Sequence, residues 1–134
     1  MKNLLITYKT TQDEKNFLLQ YFSEKIENQE IKVDFLQESP EENRGYLINN
    51  ANIILAWNPR TEGLTSQEIK LDKLEFLQLL AAGYDHIKLD QIPKKIKIAA
   101  NQGAYGEPMA EHTIAMLLSC AKRLNKYQDL MKRG

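Results

Sequence analysis

Two short segments of the chain combine glycine with polar and aromatic residues in a spacing that suits ligand binding. They are Ala81-Ala-Gly-Tyr-Asp-His86 and Asn101-Gln-Gly-Ala-Tyr-Gly106, and each follows a short apolar run. We therefore expect two turns at the ends of two strands, where an open α/β sheet gathers its ligands. Because no residue cluster in the chain could run a reaction by itself, the segments predict binding, with no catalytic residue and no metal site.

The two histidines do not change this interpretation. His86 follows the first turn, and His112 stands beside Glu111 at the start of a helical pattern. Neighbouring residues on a helix point about 100 degrees apart, so Glu111 and His112 cannot form a proton relay. Another polar group follows a third apolar run: Arg60, in Trp57-Asn-Pro-Arg60, is a candidate for holding an anionic substrate, or else a solvated loop arginine.

The elements that must position these residues alternate along the chain. Apolar runs predict strands over residues 4–7, 31–36, 52–57, 76–80 and 96–100, with 31–36 at the sheet's edge. Helical spacing covers 13–27, and Ser39 before Pro40 and Glu41 predicts a capped helix start. Since uninterrupted apolar runs belong to strands covered on both faces, we expect a flavodoxin-like, doubly wound parallel α/β sheet over residues 1–100.

Composition restricts the possible partners and the compartment. The chain has 134 residues, 43% of them hydrophobic, with 18 basic and 18 acidic residues. The balanced charge predicts neither nucleic-acid nor membrane binding, and no apolar run approaches the roughly 18 residues of a membrane span. One cysteine, Cys120, fits a reducing compartment and is expected to be a small core residue. We therefore expect a cytoplasmic protein.

The segment 101–134 is predicted to be an interdomain turn followed by a long linking or dimerisation helix. One apolar stripe holds residues such as Ile114 and Leu117, and a second holds Met109, Thr113, Met116 and Cys120. A surface helix needs only one stripe. The second stripe predicts a further domain or a second subunit, as in a homodimer, unless the helix is buried in this domain. The chain stops without a closing signal, as expected of a piece of a longer protein.

The glycine turns and the helix start together resemble a known family. Leu79-Leu-Ala-Ala-Gly-Tyr-Asp-His86, Ile96-Lys-Ile-Ala-Ala-Asn101 and Ala110-Glu-His-Thr113 are similar to the N-terminal substrate-binding domain of the D-isomer-specific 2-hydroxyacid dehydrogenases. The similarity runs in order from about residue 52 to the end, whereas residues 1–51 agree only in layout. It implies an NAD(P)-dependent oxidoreductase that interconverts 2-hydroxy and 2-keto acids.

The resemblance also assigns roles to particular residues. The backbone amides of Ala82 and Gly83 would bind the substrate carboxylate, although Gly83 could simply permit a tight turn. Tyr105 would point into the substrate cleft, unless it is an exposed loop aromatic, and Met109 would line the nicotinamide of the cofactor. Asp85 is expected to brace the first turn, and Asn101 to tolerate an unusual backbone conformation in the second.

NAD or NADP would be bound mainly by a dinucleotide-binding domain that follows residue 134. In the family that domain also supplies the catalytic arginine, histidine and glutamate, so the 134 residues alone should be inactive. The glycine pair Gly103 and Gly106 is no dinucleotide fingerprint, because Asn101 stands where the first glycine belongs, and Glu107 and Glu111 would repel a pyrophosphate.

Three other classes share the expected fold. A phosphorylation receiver needs clustered aspartates where this chain has Thr7-Tyr8 and Ala56-Trp57, and a flavodoxin needs a glycine-rich phosphate loop after the first strand. The remaining alternative is a non-catalytic ligand-sensing or dimerisation module derived from the same domain. Continuation of the gene into a strand–GxGxxG–helix unit would distinguish the enzyme from that module.

Overall fold

The computed structural model describes residues 1–84 and 92–133, which form two compact units. The first unit is Met1–Asn101 and the second is Gln102–Gly134. The first contains five strands and three α-helices, with a short 3-10 turn at Leu36–Glu38; the second contains two helices. The elements of the first unit are β1 (Lys2–Ile6), α1 (Gln12–Tyr21), α2 (Ser23–Glu27), β2 (Ile31–Phe35), α3 (Glu41–Asn50), β3 (Ile53–Ala56), β4 (Phe76–Leu79) and β5 (Lys97–Ala100), and those of the second are α4 (Gly106–Ala121) and α5 (Leu124–Arg133).

The five strands form one parallel sheet in the order β2-β1-β3-β4-β5. This order is the one found in flavodoxin-like folds, and the predicted fold class is confirmed. The edge position predicted for residues 31–36 is confirmed as well, because β2 is the first strand of the order. Every apolar run that predicted a strand contains one, with ends shifted by at most two residues.

The main core lies on one face of this sheet. Leu5 pairs in register with Ile54, and Ile54 with Leu77, so that three fully buried side chains line up across β1, β3 and β4. Burial of each such aliphatic side chain contributes about 1.5–3 kcal/mol to the free energy of folding. The remaining buried members of the cluster come from β3, β4, α3 and the loops: Leu36, Ile48, Ala51, Ala56, Leu64, Leu71, Leu74, Leu79, Ile92 and Ile96.

The opposite face is less completely covered than the sequence predicted. Ile53, Leu55, Phe76 and Gln78 alternate with the core residues along β3 and β4 and are only half-buried. On the same face of β1, Leu4 and Ile6 are fully buried, so in the described residues this face is covered completely at β1 and partly at β3 and β4. Of the helices, α2 contacts β2 and α3 contacts β1, and these two strands form one half of the sheet.

The connection between β3 and β4, residues 57–75, consists of turns instead of a helix. It nevertheless contributes Leu64, Leu71 and Leu74 to the core. Two residues reverse the chain with positive φ, Gly63 at 85° and Leu71 at 52°. Glycine adopts this conformation without steric cost, whereas leucine does so only when its surroundings impose it. Burial of the Leu71 side chain supplies that constraint.

Two helical segments differ from their predictions, one in its interior and one at its start. The helix expected over 13–27 is interrupted at Phe22, which ends α1 and precedes α2. At α3 the N-terminal cap position is Pro40 and no side chain caps the helix; the Ser39 hydroxyl instead donates to the Phe35 carbonyl at 3.2 Å. The prediction of Ser39 as a cap is therefore wrong, because its hydroxyl bonds to the backbone of the turn before the helix.

The second unit consists of two exposed helices. Arg123, with φ of 53°, ends the helical run expected to reach about residue 124, and α5 begins directly afterwards. Neither helix has a buried residue. The predicted core position of Cys120 is therefore wrong, since its side chain is exposed, and so is the alternative of a buried central helix. None of the helices in residues 1–84 and 92–133 has the length and apolarity needed to cross a bilayer.

Candidate functional site

The first glycine turn begins at the carboxyl end of β4, beside the carboxyl end of β5. Leu79 pairs with Ala100 at the last register position of the two strands. Beyond it, the Asn101 N–H donates to the Ala81 carbonyl at 3.2 Å, which extends the pairing into the loops. The turn after β4 and the first residue after β5 therefore lie side by side at one edge of the sheet.

The backbone at the first turn is accessible. Ala82 is half-buried, and Gly83 and Tyr84 are exposed. Successive amides at such a turn can hold a small anion without a mobile cationic side chain. The predicted substrate contact at Ala82 and Gly83 thus lies on an open part of the carboxyl edge. Asp85 and His86, for which a bracing role and a non-catalytic role are expected, lie outside the described residues.

The loop after β3 places Arg60 on the same edge of the sheet, since β3 is the neighbour of β4. Arg60 is exposed, and its backbone N–H donates to the Asn58 side-chain oxygen at 3.1 Å. Pro59 beside it is buried and anchors the loop. Trp57 is 53% exposed and so is not packed in the core.

The second turn differs from its prediction in one respect. Gly103 has the positive φ, 81°, and Asn101 does not adopt this conformation. The expectation of an unusual backbone at Asn101 is therefore wrong, because Gly103, two residues further on, adopts the positive φ. Asn101 instead uses its backbone N–H to join the first turn.

Tyr105 and Met109 belong to the second unit. Tyr105 precedes α4 and is 42% exposed, and its carbonyl accepts from the Met109 N–H at 3.0 Å. Met109 is 66% exposed on the first turns of α4. Glu111 and His112 are exposed on the same helix. The substrate and nicotinamide contacts assigned to Tyr105 and Met109 stay predictions.

Sequence reasoning missed one polar cluster at this edge, centred on Glu62. The carboxylate accepts the backbone N–H groups of Trp57 and Asn58, and the buried Thr7 hydroxyl lies against Glu62 Oε2. Next to Thr7, burial raises the pKa of the half-buried Tyr8 hydroxyl, and the negative charges of Glu14 and Glu62 raise this pKa further. The only sequence signal was an acid a few residues beyond a strand end.

Clefts are also present elsewhere among the described residues, and Ala82 and Gly83 do not line those described below. One, of about 650 Å³, is at the amino ends of β3 and β4 and is lined by Lys73, Glu75, Lys95 and Lys97 among others. Two of these lysines donate to neutral acceptors, Lys73 to Asn50 Oδ1 and Lys95 to the Asp72 carbonyl. A second cleft, of about 450 Å³, lies between the start of α3 and the segment Thr61–Ile69, and its lining includes Glu62.

The described residues do not fit a dinucleotide pyrophosphate. Glu107 lies in the first turn of α4, and no side chain caps that helix. An anion would meet a negative charge at this helix start, where a dinucleotide site offers free N–H groups instead. In the described part of the chain, no group of three His, Cys, Asp or Glu side chains is placed to hold a metal ion.

No protein-family profile and no curated protein matches the chain. Solved structures do match it. A glycerate dehydrogenase related protein from Thermoplasma acidophilum aligns with a TM-score of 0.64 and 19% identity over 98% of this chain. A D-lactate dehydrogenase from Escherichia coli aligns with a TM-score of 0.54 and 20% identity over 94% of this chain. A phosphoglycerate dehydrogenase from Lactobacillus plantarum aligns with a TM-score of 0.51 and 15% identity over 90% of this chain.

These three proteins are much longer than the aligned region. The chain covers 39%, 39% and 36% of the glycerate dehydrogenase related protein, the D-lactate dehydrogenase and the phosphoglycerate dehydrogenase, respectively. At identities of 20% or less, the likeness establishes the fold. The resemblance to the D-isomer-specific 2-hydroxyacid dehydrogenases that the sequence indicated is thus confirmed as a shared fold, which in those longer chains makes up little more than a third of the protein.

Proposed function

We propose that this chain is the substrate-binding part of an NAD(P)-dependent oxidoreductase that interconverts 2-hydroxy and 2-keto acids. The observation that carries the proposal is the Ala82–Gly83 turn, open at the carboxyl edge of the sheet, in a fold shared with three dehydrogenases. In the family that the sequence resembles, the amides of this step bind the substrate carboxylate. Arg60, on the neighbouring loop, would add a positive charge.

The remaining machinery would come from outside these 134 residues. We propose a separate dinucleotide-binding domain that holds NAD or NADP and supplies the catalytic arginine, histidine and glutamate. The present residues would bind and orient the acid, and closure against that domain would exclude water from the site. Tyr105 would contact the substrate and Met109 the nicotinamide. The compartment that we propose is the cytoplasm.

We also propose that the chain forms a homodimer or packs on the further domain through α4. No residue of this helix is buried, and Met109, Ile114, Met116, Leu117 and Leu118 are each more than half exposed. Contiguous apolar surface of this kind marks an interaction site. A non-catalytic dimerisation module would use the same surface, so α4 supports both candidate functions.

Oxamate, an unreactive analogue of a 2-keto acid, provides the test of substrate binding. We expect a titration of the 15N-labelled chain to move the Ala82 and Gly83 amide signals saturably, with a dissociation constant on the order of millimolar, because one face of the site is open. An uncharged diamide of similar size is the control ligand and should leave both amides unchanged. Shifts confined to other residues, or no saturable shift, would refute this site.

A second arm of the same test concerns catalysis. Mixing the chain with NADH and glyoxylate or pyruvate should cause no loss of NADH absorbance, because the described residues lack a dinucleotide site. Measurable turnover by the purified 134 residues would contradict the proposal that a separate domain supplies the cofactor site and the catalytic residues. Saturable oxamate binding without turnover is the combination that supports it.

A further inference from the structure

The Glu62 carboxylate lies on two successive backbone N–H groups at the end of β3. The Trp57 N–H is 3.1 Å from Oε1 and 3.2 Å from Oε2, and the Asn58 N–H is 2.7 Å from Oε1. Two consecutive amides directed at one anion form the kind of nest that proteins use for small anionic ligands. Here the anion is a side chain of the protein itself.

The same carboxylate also reaches β1. The Thr7 hydroxyl lies within hydrogen-bonding distance of Glu62 Oε2 and, at 3.0 Å, of the Leu55 carbonyl. Because a hydroxyl carries one proton, Thr7 donates to only one of these acceptors at a time. Thr7 is fully buried, so its hydroxyl bonds to these acceptors away from solvent. Glu62 therefore joins the end of β1 to the loop that follows β3.

This position is the place where sheets of this kind gather ligands. In the order β2-β1-β3-β4-β5, the chain leaves β1 toward one side of the sheet and β3 toward the other. The crevice between the carboxyl ends of such strands is the usual ligand site of an open α/β sheet. In this chain the Glu62 carboxylate occupies the amides that a ligand would use there, and its negative charge opposes a second anion.

We propose that Glu62 is a built-in anion that takes the place of a ligand at the β1–β3 crevice and fixes the loop carrying Trp57 and Arg60. An anionic ligand is thereby excluded from this crevice and directed to another part of the carboxyl edge. Glu62 is a positioning residue, since its contacts are to the protein's own backbone. The proposal goes beyond the function proposed above and does not depend on it.

The raised pKa of Tyr8 agrees with this assignment. Burial is its main cause, and the charges of Glu14 and Glu62 add to it. The charges of Glu14 and Glu62 thus act on the Tyr8 hydroxyl in the direction that favours its neutral form, and the same charges oppose a bound anion. A site built for a phosphate would have the opposite electrostatic character.

Amide hydrogen exchange in the full chain tests the proposal. In Glu62→Ala the Trp57 and Asn58 amides lose their acceptor, and we expect their exchange to accelerate at least about tenfold. Added formate should slow it again in a saturable way, because formate can bind on the vacated amides, whereas chloride at equal ionic strength should have a smaller effect. Glu62→Gln keeps one acceptor oxygen and should give an intermediate rate.

The matched control is Glu68→Ala. Glu68 is an exposed glutamate in the same connection, and no described hydrogen bond joins it to Trp57 or Asn58. Its removal should leave both exchange rates unchanged with or without formate. The fluorescence of Trp57, the only tryptophan of the chain, gives a second readout and should change in Glu62→Ala but not in the control.

Two results would overturn the proposal. One is unchanged exchange at Trp57 and Asn58 in a folded Glu62→Ala protein; the other is acceleration that formate does not reverse. If Glu62→Ala does not fold, Glu62→Gln decides, and an exchange rate equal to that of the unmodified chain refutes the assignment. The oxamate shifts at Ala82 and Gly83 should survive in these variants, which separates this test from that of the proposed function.

Discussion

At the scale of single residues, the carboxyl edge combines an open turn, for which we propose anion binding, with a pair of amides that a glutamate already occupies. The Ala82–Gly83 backbone is accessible, whereas the Trp57 and Asn58 amides are taken by Glu62. Arg60 belongs to the loop that Glu62 closes, residues 57–62, and is exposed. The contribution to binding that we propose for it would therefore be electrostatic and limited by solvent screening.

We predict that Arg60→Ala weakens oxamate binding about three- to tenfold, as expected for the loss of one exposed charged contact. Titration calorimetry or the amide titration described above measures the change. Lys9→Ala is the control, since Lys9 is an exposed cation in the loop after β1 and its loss alters the net charge equally. An equal loss of affinity in both variants would show that only the overall charge matters.

The sequence indicated Ala82, Gly83 and Arg60 correctly as residues of one sheet edge, because each follows an apolar run that becomes a strand. It did not indicate Glu62. The carboxylate reaches back across the loop to amides four and five positions earlier, and only the turn geometry of residues 57–62 brings these groups together. Asn101 illustrates the same limit, since Gly103, two residues further on, adopts the conformation expected of the asparagine.

At the scale of elements, α1 has the best-defined helix start. The Thr11 hydroxyl accepts the Glu14 N–H at 3.3 Å, and the Glu14 carboxylate accepts the Thr11 N–H at 2.7 Å, which makes a reciprocal capping box. The bond from the Thr11 backbone, followed by that from its side chain, lowers the pKa of Glu14. This spacing of threonine and glutamate was readable in the sequence.

The capping box predicts a pH dependence of stability. A carboxyl group whose pKa is lower in the folded state stabilises the fold above its unfolded pKa, and this contribution is lost as the pH falls toward the folded value. Glu14→Gln should therefore reduce the dependence of the free energy of unfolding on pH in the acidic range. Urea unfolding at several pH values measures it.

The control for this prediction is Asp13→Asn, which removes a neighbouring acid of the same helix turn without touching the box. An equal reduction in Asp13→Asn would assign the effect to the helix dipole alone. Thr11→Ala, which removes the cap itself, should cost about 0.5–2 kcal/mol at neutral pH. A stability unchanged within error would contradict the role of the box.

The strands were predictable and the connection from β3 to β4 was not, for a physical reason. Short apolar runs identify strands because strand residues share a pleated, buried surface. Residues 57–75 lack any helical or alternating pattern, yet Leu64, Leu71 and Leu74 are buried there by turns whose geometry depends on the rest of the core. The cap predicted at Ser39 failed similarly, since a competing backbone acceptor was available.

At the scale of the whole molecule, the chain has a unit with a buried core and a unit of two exposed helices, of which α4 is apolar. No residue of α4 or α5 is buried, although α4 is more apolar than α1, α3 and α5. Such surface is normally covered in a working protein. The sequence predicted the need for a partner from its two stripes but could not say what the partner is.

We predict that the 15.5 kDa chain self-associates at concentrations near 100 µM through α4, and that Leu117→Glu raises the dissociation constant at least about tenfold. Leu117 is 65% exposed and lies among other exposed apolar residues of the helix. Sedimentation velocity measures the association. Phe17→Glu, at a residue 66% exposed on α1, is the control and should have no such effect.

A strictly monomeric chain at that concentration would contradict the homodimer and leave the further domain as the remaining candidate for covering α4. Equal effects of both substitutions would show nonspecific association. The same sedimentation experiment distinguishes these results, because both variants add one negative charge in place of an exposed apolar side chain, on different helices.

The parallel arrangement of the sheet has a consequence for how the protein folds. No two neighbouring strands are joined by a hairpin; the pairing closest in sequence joins Phe76 to Lys97, and the most distant joins Leu4 to Ile53. Each pairing therefore requires closure of a long loop before any ladder bond forms, which slows the search for the native state. We expect refolding on the millisecond-to-second timescale of such topologies, with strand β1, which must capture both β2 and β3, completing its contacts in the rate-limiting step.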